Sequence, residues 1–186
     1  LNDSHKCELI CGDKDIMHLL DKHPVSLTLP EDMLIKGDYN LCQQLKIPSG
    51  AKIVCLNIRD SAYYGVNSLD NSVTSYRNTI ELVNFIEAIK YLINKGFYVI
   101  RMGRDVEKKF PLKDDMFIDY ANSNFSSDFM DIFLANKCEF FISTLTGWDS
   151  VPYYSFRKCG VFVNSVPTLY MQTYRDKVFY LAKKHF

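Results

Sequence analysis

Short apolar runs alternate with amphipathic stretches along most of the chain. Five runs rich in β-branched and aromatic residues predict strands at Ile53 to Ile58, Phe97 to Met102, Met116 to Tyr120, Glu139 to Thr144 and Gly160 to Asn164. Most of them are nearly continuous apolar runs, which is typical of strands covered on both faces. Because βαβ crossovers are right-handed, the alternation predicts an α/β fold with a Rossmann-like, doubly wound parallel sheet of five to six strands.

Two helices are predicted between these strands. Apolar residues recur at helical spacing from Leu82 to Ile93, and Gly96 provides a stop. A second helix is expected to begin near Ser127 or Asp128, either of which can cap it. The residues that this helix is expected to bury are Phe129, Ile132 and Phe133.

The first fifty residues follow a different pattern. Residues 30–45 predict a helix interrupted by Gly37, followed by a turn into the first strand. We therefore expect a lead-in segment over 1–50 and the Rossmann-like domain over 51–186, with a last helix after Pro167. The chain begins with Leu1 rather than Met, which suggests a longer protein whose N-terminal partner domain is missing.

Composition narrows the classes of partner. Lys plus Arg and Asp plus Glu number 22 each, so no overall positive field would recruit nucleic acid or an anionic membrane. No apolar run is long enough for a transmembrane span and the polar start is not a signal peptide, so we expect a cytoplasmic protein. The six cysteines lack paired CxxC spacing, which favours free thiols, buried at Cys55, Cys138 and Cys159, over disulfides or a metal site.

Two arginines bracket a long polar loop over 61–79. Arg59 and Asp60 close the first strand, where an α/β domain presents groups to its ligand, and a guanidinium there can bind a diphosphate through two hydrogen bonds. Arg77 and Asn78 return at the far end of the loop, so two arginines could share one anion. The alternatives are that Arg59 pairs with Asp60 to hold the loop, and that Arg77 is a solvated charge.

Arg101 lies within an otherwise apolar strand. Because burying an unpaired guanidinium is unfavourable, Arg101 needs a carboxylate, a carbonyl or a phosphate as partner. A structural ion pair with Asp119 or Asp60 is one interpretation, and contact with a bound ligand is the other.

The segment STLTG, over 143–147, follows a buried strand and precedes a predicted helix. Ser143, Thr144, Thr146 and Gly147 would offer hydroxyls and backbone N–H groups to an anion, and ordinary helix capping is the alternative. Trp148 next to this segment could stack on a base or sugar, or pack in the core. The loop matches neither GxxxxGK[ST] nor GxGxxG, which disfavours P-loop NTPases and nicotinamide dehydrogenases.

Other catalytic classes receive little support. There is no GxSxG, and the four histidines lie within the first 25 residues or at His185, which disfavours a serine hydrolase. No DxD motif follows the strands to hold a metal and a diphosphate. No residue can be assigned as a catalytic acid, base or nucleophile.

Several segments together resemble a bacterial family of glycosyltransferases from surface-polysaccharide gene clusters. They are CLNIRDSAYY, YRNT, GFYVIRMG, IDYANSNFSSDFMDIFLANKCEFFISTLTG and VNSVP, and the likeness spans residues 30–166. It implies the C-terminal, nucleotide-sugar-binding half of a GT-B architecture. NIRD is also similar to the H-x-R motif of fucosyltransferases, whose arginine engages the donor diphosphate. Asn57 replaces that histidine here, and only one arginine is present, so fucose is not supported.

The resemblance implies transfer of a sugar from a nucleoside-diphosphate donor to a glycan or lipid-linked acceptor, with neither metal nor cofactor. Arg59, Arg77 and the STLTG loop would neutralise the departing diphosphate, and an acceptor-side domain would supply the general base. Further candidate donor contacts are Asp60, Asn78, Arg101, Trp148 and Asp149. The alternatives are a sugar-nucleotide epimerase, another transferase of this architecture, and a non-catalytic nucleotide-binding or interaction module.

Overall fold

Six strands form one parallel sheet in the order β3-β2-β1-β4-β5-β6, in a computed structural model that describes residues 26–59, 62, 81–104, 106–165 and 178–182. The strands are β1 (Lys52–Asn57), β2 (Phe97–Met102), β3 (Phe117–Ile118), β4 (Phe140–Ser143), β5 (Cys159–Ser165) and β6 (Val178–Ala182). All neighbouring strands are parallel. This order is that of a Rossmann-like, doubly wound sheet, so the predicted fold class is confirmed.

The predicted strands are found, with one much shorter than expected. β3 has only two residues because Asp119 leaves the extended conformation and a 3-10 turn follows at Tyr120–Asn122. The C-terminal strand β6 was not predicted. The predicted helix after Pro167 is wrong for residues 178–182, which form this strand. Val178 and Tyr180 face the core, whereas Phe179 and Leu181 are exposed, and this alternation is typical of an edge strand. Residues 166–177 lie outside the described part of the chain.

The N-terminal helix α1 (Glu31–Gln44) is continuous, so the predicted interruption at Gly37 is wrong. Gly37 is buried, and a β-carbon there would overlap the ring of Phe133. The glycine therefore permits close approach of two helices rather than breaking one. Leu41 and Leu45 from the same helix are buried, and they join it to the core beneath the sheet.

The two helices predicted between strands are confirmed. A 3-10 turn at Leu82–Phe85 continues into α2 (Ile86–Asn94), and Gly96 follows in the left-handed conformation, with φ of 83°. The second, α3 (Asp128–Lys137), begins after Ser127, whose hydroxyl accepts from the Met130 N–H over 3.3 Å. Ile132 is 39% exposed, so its predicted burial is wrong, and Met130 and Leu134 fill the core in its place.

The sheet has a helical layer on each face. Helices α1 and α3 cover one face, where Leu41, Cys55, Phe133 and Phe141 form part of one cluster. Helix α2 covers the other over β1 and β2, with Val54, Leu56, Ile89 and Val99 in a second cluster. Strand β1 is buried on both sides because its residues alternate between the two clusters, and this fixes the position of its C-terminal end.

Candidate functional site

The candidate site lies where β1 and β4 end. Strand β1 pairs with β2 on one side and β4 on the other, and Asn57 is in register with Ser143. The sheet therefore reverses its winding between these two strands, which is the topological point where open α/β sheets bind ligands. Arg59, which follows Asn57 by two residues, therefore lies at the same sheet edge as Ser143.

Hydrogen bonds join the end of β1 to the segment after β4. The Thr144 N–H donates to the Asn57 carbonyl over 3.1 Å. In return, the Arg59 N–H donates to the Thr144 hydroxyl over 2.8 Å. Arg59 is half-buried, and these bonds fix its backbone beside the STLTG segment.

Asp149 is the centre of that loop. Its Oδ2 accepts from the Ser143 hydroxyl over 2.7 Å and from the Thr146 N–H over 2.6 Å, and its Oδ1 accepts from the Thr146 hydroxyl over 3.1 Å. The Asn57 side-chain amide donates to the same Thr146 oxygen over 2.6 Å. One carboxylate therefore holds both ends of the segment and, through Thr146, the end of β1.

These contacts determine what the hydroxyls do. Ser143 and Thr144 are 0% and 1% exposed. The Ser143 hydroxyl also accepts from the Leu145 N–H over 3.1 Å, and the Thr144 hydroxyl is engaged by Arg59. Both hydroxyls therefore bond to the protein, as the alternative of ordinary helix capping predicts. Thr146, in contrast, is half-buried and lies at the rim of the candidate site.

The segment opens to solvent at Gly147. Gly147 is exposed, and a β-carbon placed there would meet no atom within 4 Å. Among the described residues, no acceptor takes the backbone N–H of Gly147 or Trp148. The left-handed residue of the segment is Leu145, with φ of 65°, and not Gly147.

The predicted helix after this segment is not a regular one. A 3-10 turn at Gly147–Asp149 is followed by a single π-helical turn at Val151–Ser155. Thr146 and Asp149 cap the 3-10 turn reciprocally, which satisfies donors that a longer helix would leave for a ligand. Of the backbone N–H groups in this described turn, those of Gly147 and Trp148 therefore stay open to an anion.

Trp148 packs against the protein. Its Nε1–H donates to the Asp131 carbonyl on α3 over 3.2 Å, and its ring meets Phe141 edge to face with centroids 6.2 Å apart. The side chain is half-buried. Of the two interpretations, core packing matches these contacts.

Arg101 has the structural partner that its burial requires. The side chain is 0% exposed, its Nη1 lies 3.2 Å from Asp119 Oδ1, and the same nitrogen donates to the Lys108 carbonyl over 2.8 Å. The Phe110 ring centroid lies 5.6 Å from the guanidinium carbon. The interpretation of Arg101 as one member of a structural ion pair with Asp119 is confirmed, and its assignment as a donor contact stays a prediction.

Asp149 is 2% exposed and its carboxylate faces the inside of the segment, and its assignment as a donor contact stays a prediction. Burial raises the pKa of Asp149 to about 6, although the hydrogen bonds from Thr146 and Ser143 act in the opposite direction. A buried carboxylate that titrates near neutrality therefore lies directly behind the Thr146 hydroxyl.

Three predicted site residues, Asp60, Arg77 and Asn78, lie outside the described residues. Asn57 was missed as a site residue, although a polar side chain that ends an apolar strand is a usable signal.

A separate groove of about 890 Å³ lies between α2 and the sheet, with Leu56, Val161 and Leu181 in its largely apolar lining. Its chemistry is unlike that of the polar edge.

Over the described ranges, no cluster of three or more His, Cys, Asp or Glu side chains is arranged to hold a metal. Cys55 and Cys138 are buried free thiols as predicted, and Cys159 is free and half-buried. Within the same ranges, no helix is long and apolar enough to cross a membrane. No family model, curated protein or solved structure matches this chain.

Proposed function

We propose that this chain binds a nucleoside-diphosphate sugar at the edge where β1 and β4 end, as the donor-binding part of a metal-independent glycosyltransferase. One observation carries the proposal: the change of winding direction between β1 and β4 coincides with Arg59 and the exposed Gly147. A sheet of this order binds its ligand at that point.

The charge of the donor fits the groups available there. A diphosphate diester carries two negative charges, and the open N–H groups of Gly147 and Trp148 can each donate to one of its oxygens. The Arg59 guanidinium would neutralise the second charge, with Arg77 and Asn78 approaching from the other end of the long loop. Ser143 and Thr144 would act indirectly, by holding the segment in place.

The same groups would serve the transfer step. As the acceptor oxygen forms its bond to the anomeric carbon, the bond from that carbon to the diphosphate breaks and its electron pair leaves on the diphosphate. Fixed donors stabilise this developing charge without reorganising. The acceptor proton must pass to a base, which we place on the acceptor side. The glycan or lipid-linked acceptor and a cytoplasmic location are parts of the proposal that come from the sequence alone.

A thermal-shift screen against UDP, GDP, ADP, CMP and dTDP sugars tests the proposal. We expect one nucleotide class to raise the melting temperature in a concentration-dependent manner, because a ligand that binds only the folded state stabilises it. Amide chemical-shift changes on that nucleotide should centre on Gly147 and Trp148. If none of the sugars stabilises the chain, or if the shifts centre on the apolar groove beside α2, the proposal is wrong.

A further inference from the structure

The groove beside α2 lies over a part of the sheet that no described helix covers. Parallel sheets are usually buried on both faces. Helix α2 packs on β1 and β2, whereas α1, α3 and the π-helical turn belong to the opposite face, so within the described ranges β5 and β6 have no helix on the α2 side. Val161 and Val163 are accordingly half-buried, and Leu181 is 62% exposed. These side chains give the groove an apolar floor.

The groove is apolar along its length and polar at one end. Ala88 lines it from α2, and Val161 lines it from the sheet. Three amide or carboxylate side chains also reach it, those of Glu81, Asn84 and Asn164. Glu81 and Asn84 lie at the start of the helical segment that leads back to β2, and Asn164 lies near the end of β5. All three are therefore at the carboxyl edge of the sheet.

The polar end of the groove has hydrogen-bonding capacity to offer. In the described part of the chain, no group donates to the Glu81 carboxylate, and the Asn84 side-chain amide makes no hydrogen bond. A carboxylate only accepts, whereas an amide both donates and accepts. Side by side, the two suit a head group with several hydroxyls, and the carboxylate disfavours an anionic one.

The shape of the groove suits an extended chain. Its volume of about 890 Å³ is within the range of pockets that hold small molecules. The wall that α2 provides, from Glu81 to Leu92, is roughly 17 Å long at 1.5 Å per residue. A chain lying along this wall would begin at the polar end and stay among apolar side chains for the rest of its length.

Two other occupants fit this lining less well. An apolar helix of another protein, laid over the whole groove, would bury the Glu81 carboxylate without a partner, which is unfavourable. A second copy of this chain, seated with each α2 in the other's groove, would be related by a two-fold axis along the helices. That axis would set the two Glu81 carboxylates against each other.

We propose that the groove binds a single-chain amphiphile with an uncharged, hydroxyl-bearing head, with the head at Glu81 and Asn84 and the chain between α2 and β5. This site is distinct from the anion site at Gly147. The segment after β4 turns to the face that α3 covers, where Trp148 packs, whereas the groove lies on the α2 face. The inference therefore stands independently of the proposed function.

The first test is a chain-length series of hexyl, heptyl, octyl and nonyl glucoside, each kept below the concentration at which it forms micelles. We expect saturable binding of one molecule per chain in calorimetry. Each added methylene should tighten binding by roughly threefold to fourfold, the gain for burying one such group. Affinity that does not change with chain length overturns the proposal.

NMR of the wild-type chain locates the bound amphiphile. Octyl glucoside should shift the methyl signals of Val161, Val163 and Leu181, which line the groove, and leave the Gly147 amide unchanged. Shifts centred on Gly147 would overturn the proposal. So would contacts from another segment or a second copy to these methyl groups in the ligand-free protein, because the groove would then have a different occupant.

The second test fills the groove. Ala88 is exposed and lines the groove, so an indole at this position occupies space that the chain needs. Ala88→Trp should weaken octyl glucoside binding at least tenfold. Glu87→Trp is the matched control, because it places the same side chain on α2 outside the groove lining, and it should bind like the wild type. Wild-type affinity in Ala88→Trp overturns the proposal, and if this variant does not fold, the methyl shifts of the wild type still decide.

The third test concerns the head group. Octyl sulfate carries the same chain with an anionic head, and we expect the wild type to prefer octyl glucoside. Glu81→Gln removes the charge and keeps an acceptor, so the ratio of the two affinities should fall by roughly fivefold, as expected for loss of one repulsive contact in a solvated site. A preference for octyl sulfate in the wild type, or a ratio unchanged in Glu81→Gln, overturns the placement of the head and with it the proposal.

Discussion

Arg101 Nη1 lies 3.2 Å from Asp119 Oδ1, and the Arg101 side chain is wholly excluded from solvent. The pair joins β2 to the end of β3, and Asp119 also accepts from the Phe110 N–H over 2.9 Å and from the Asn122 side chain over 2.7 Å. A charge that interrupts an apolar strand therefore anchors the crossover between β2 and β3.

Removing Asp119 should be strongly destabilising. Asp119→Ala leaves the Arg101 charge buried without its carboxylate, and breaking a buried pair in this way lowers the free energy of unfolding by about 3 kcal/mol or more. Urea unfolding followed by circular dichroism measures the loss. Glu87→Ala is the control, because it removes an exposed pair with Lys90 and should change stability by less than about 0.5 kcal/mol. Similar losses in the two variants would contradict the structural role of Arg101.

Gly37→Ala tests the contact between α1 and α3. Helix propensity alone favours alanine by about 1 kcal/mol, whereas the added methyl would overlap the Phe133 ring. We expect packing to decide the sign, with a net loss of roughly 1 to 3 kcal/mol in unfolding free energy. Gly147→Ala is the matched control, since its β-carbon would meet no atom within 4 Å. A stabilised Gly37→Ala protein would mean that the two helices are not in close contact.

Arg59→Ala tests the proposed donor site. Loss of a charge-assisted hydrogen bond should weaken binding of the stabilising nucleotide sugar by roughly 1.5 to 3 kcal/mol in calorimetry. The backbone contact from Arg59 to Thr144 does not involve the side chain and is kept in this variant. Arg104→Ala removes another arginine, one in an exposed ion pair with Asp128, and should leave the affinity unchanged. Unaltered affinity in Arg59→Ala would restrict this arginine to holding the long loop.

Asp149 makes stability depend on pH in an unusual direction for a carboxylate. Its pKa is raised from 3.8 to about 6, so the folded chain binds the proton more tightly than the unfolded chain. The resulting stability is complete below the ordinary pKa and is lost as pH rises through about 6. The stability of Asp149→Asn should not fall in this way, because the variant has no carboxylate at this position. Between about pH 4 and pH 7 the unfolding free energy of the wild type should therefore fall by up to about 3 kcal/mol relative to the variant. A constant difference over that range would show that Asp149 is not the buried acid.

The strand and helix pattern could be predicted because apolar periodicity reports burial directly. It located the ends of β1 and β4, and right-handed crossovers then brought those ends to one edge. Contacts between distant segments are not encoded in periodicity, so Gly37 was interpreted as a helix break although it is a point of contact with Phe133. The edge strand β6 was missed because half of its side chains face away from the core.

The chemistry of the site was only partly predictable. A hydroxyl-rich segment after a buried strand is expected for both a ligand cradle and a helix cap. In the folded chain the Ser143 hydroxyl donates to Asp149 and the Thr144 hydroxyl accepts from the Arg59 N–H, so both bond to the protein. The role of Asp149 depends on Asn57 and Thr146, which are far apart in sequence. No local pattern could have indicated that link.

The parallel pairing of every described strand has a consequence for how the chain folds. Ile53 pairs with Tyr98, and Val54 with Phe140, so the central strand finds both of its neighbours only across long stretches of sequence. In the described sheet no hairpin offers a local start, and the entropy of closing large loops is lost before their contacts form. Pairing between such distant segments gives a high contact order, for which folding takes milliseconds to seconds. During synthesis, the edge of β1 that pairs with β4 stays exposed until β4 has been made.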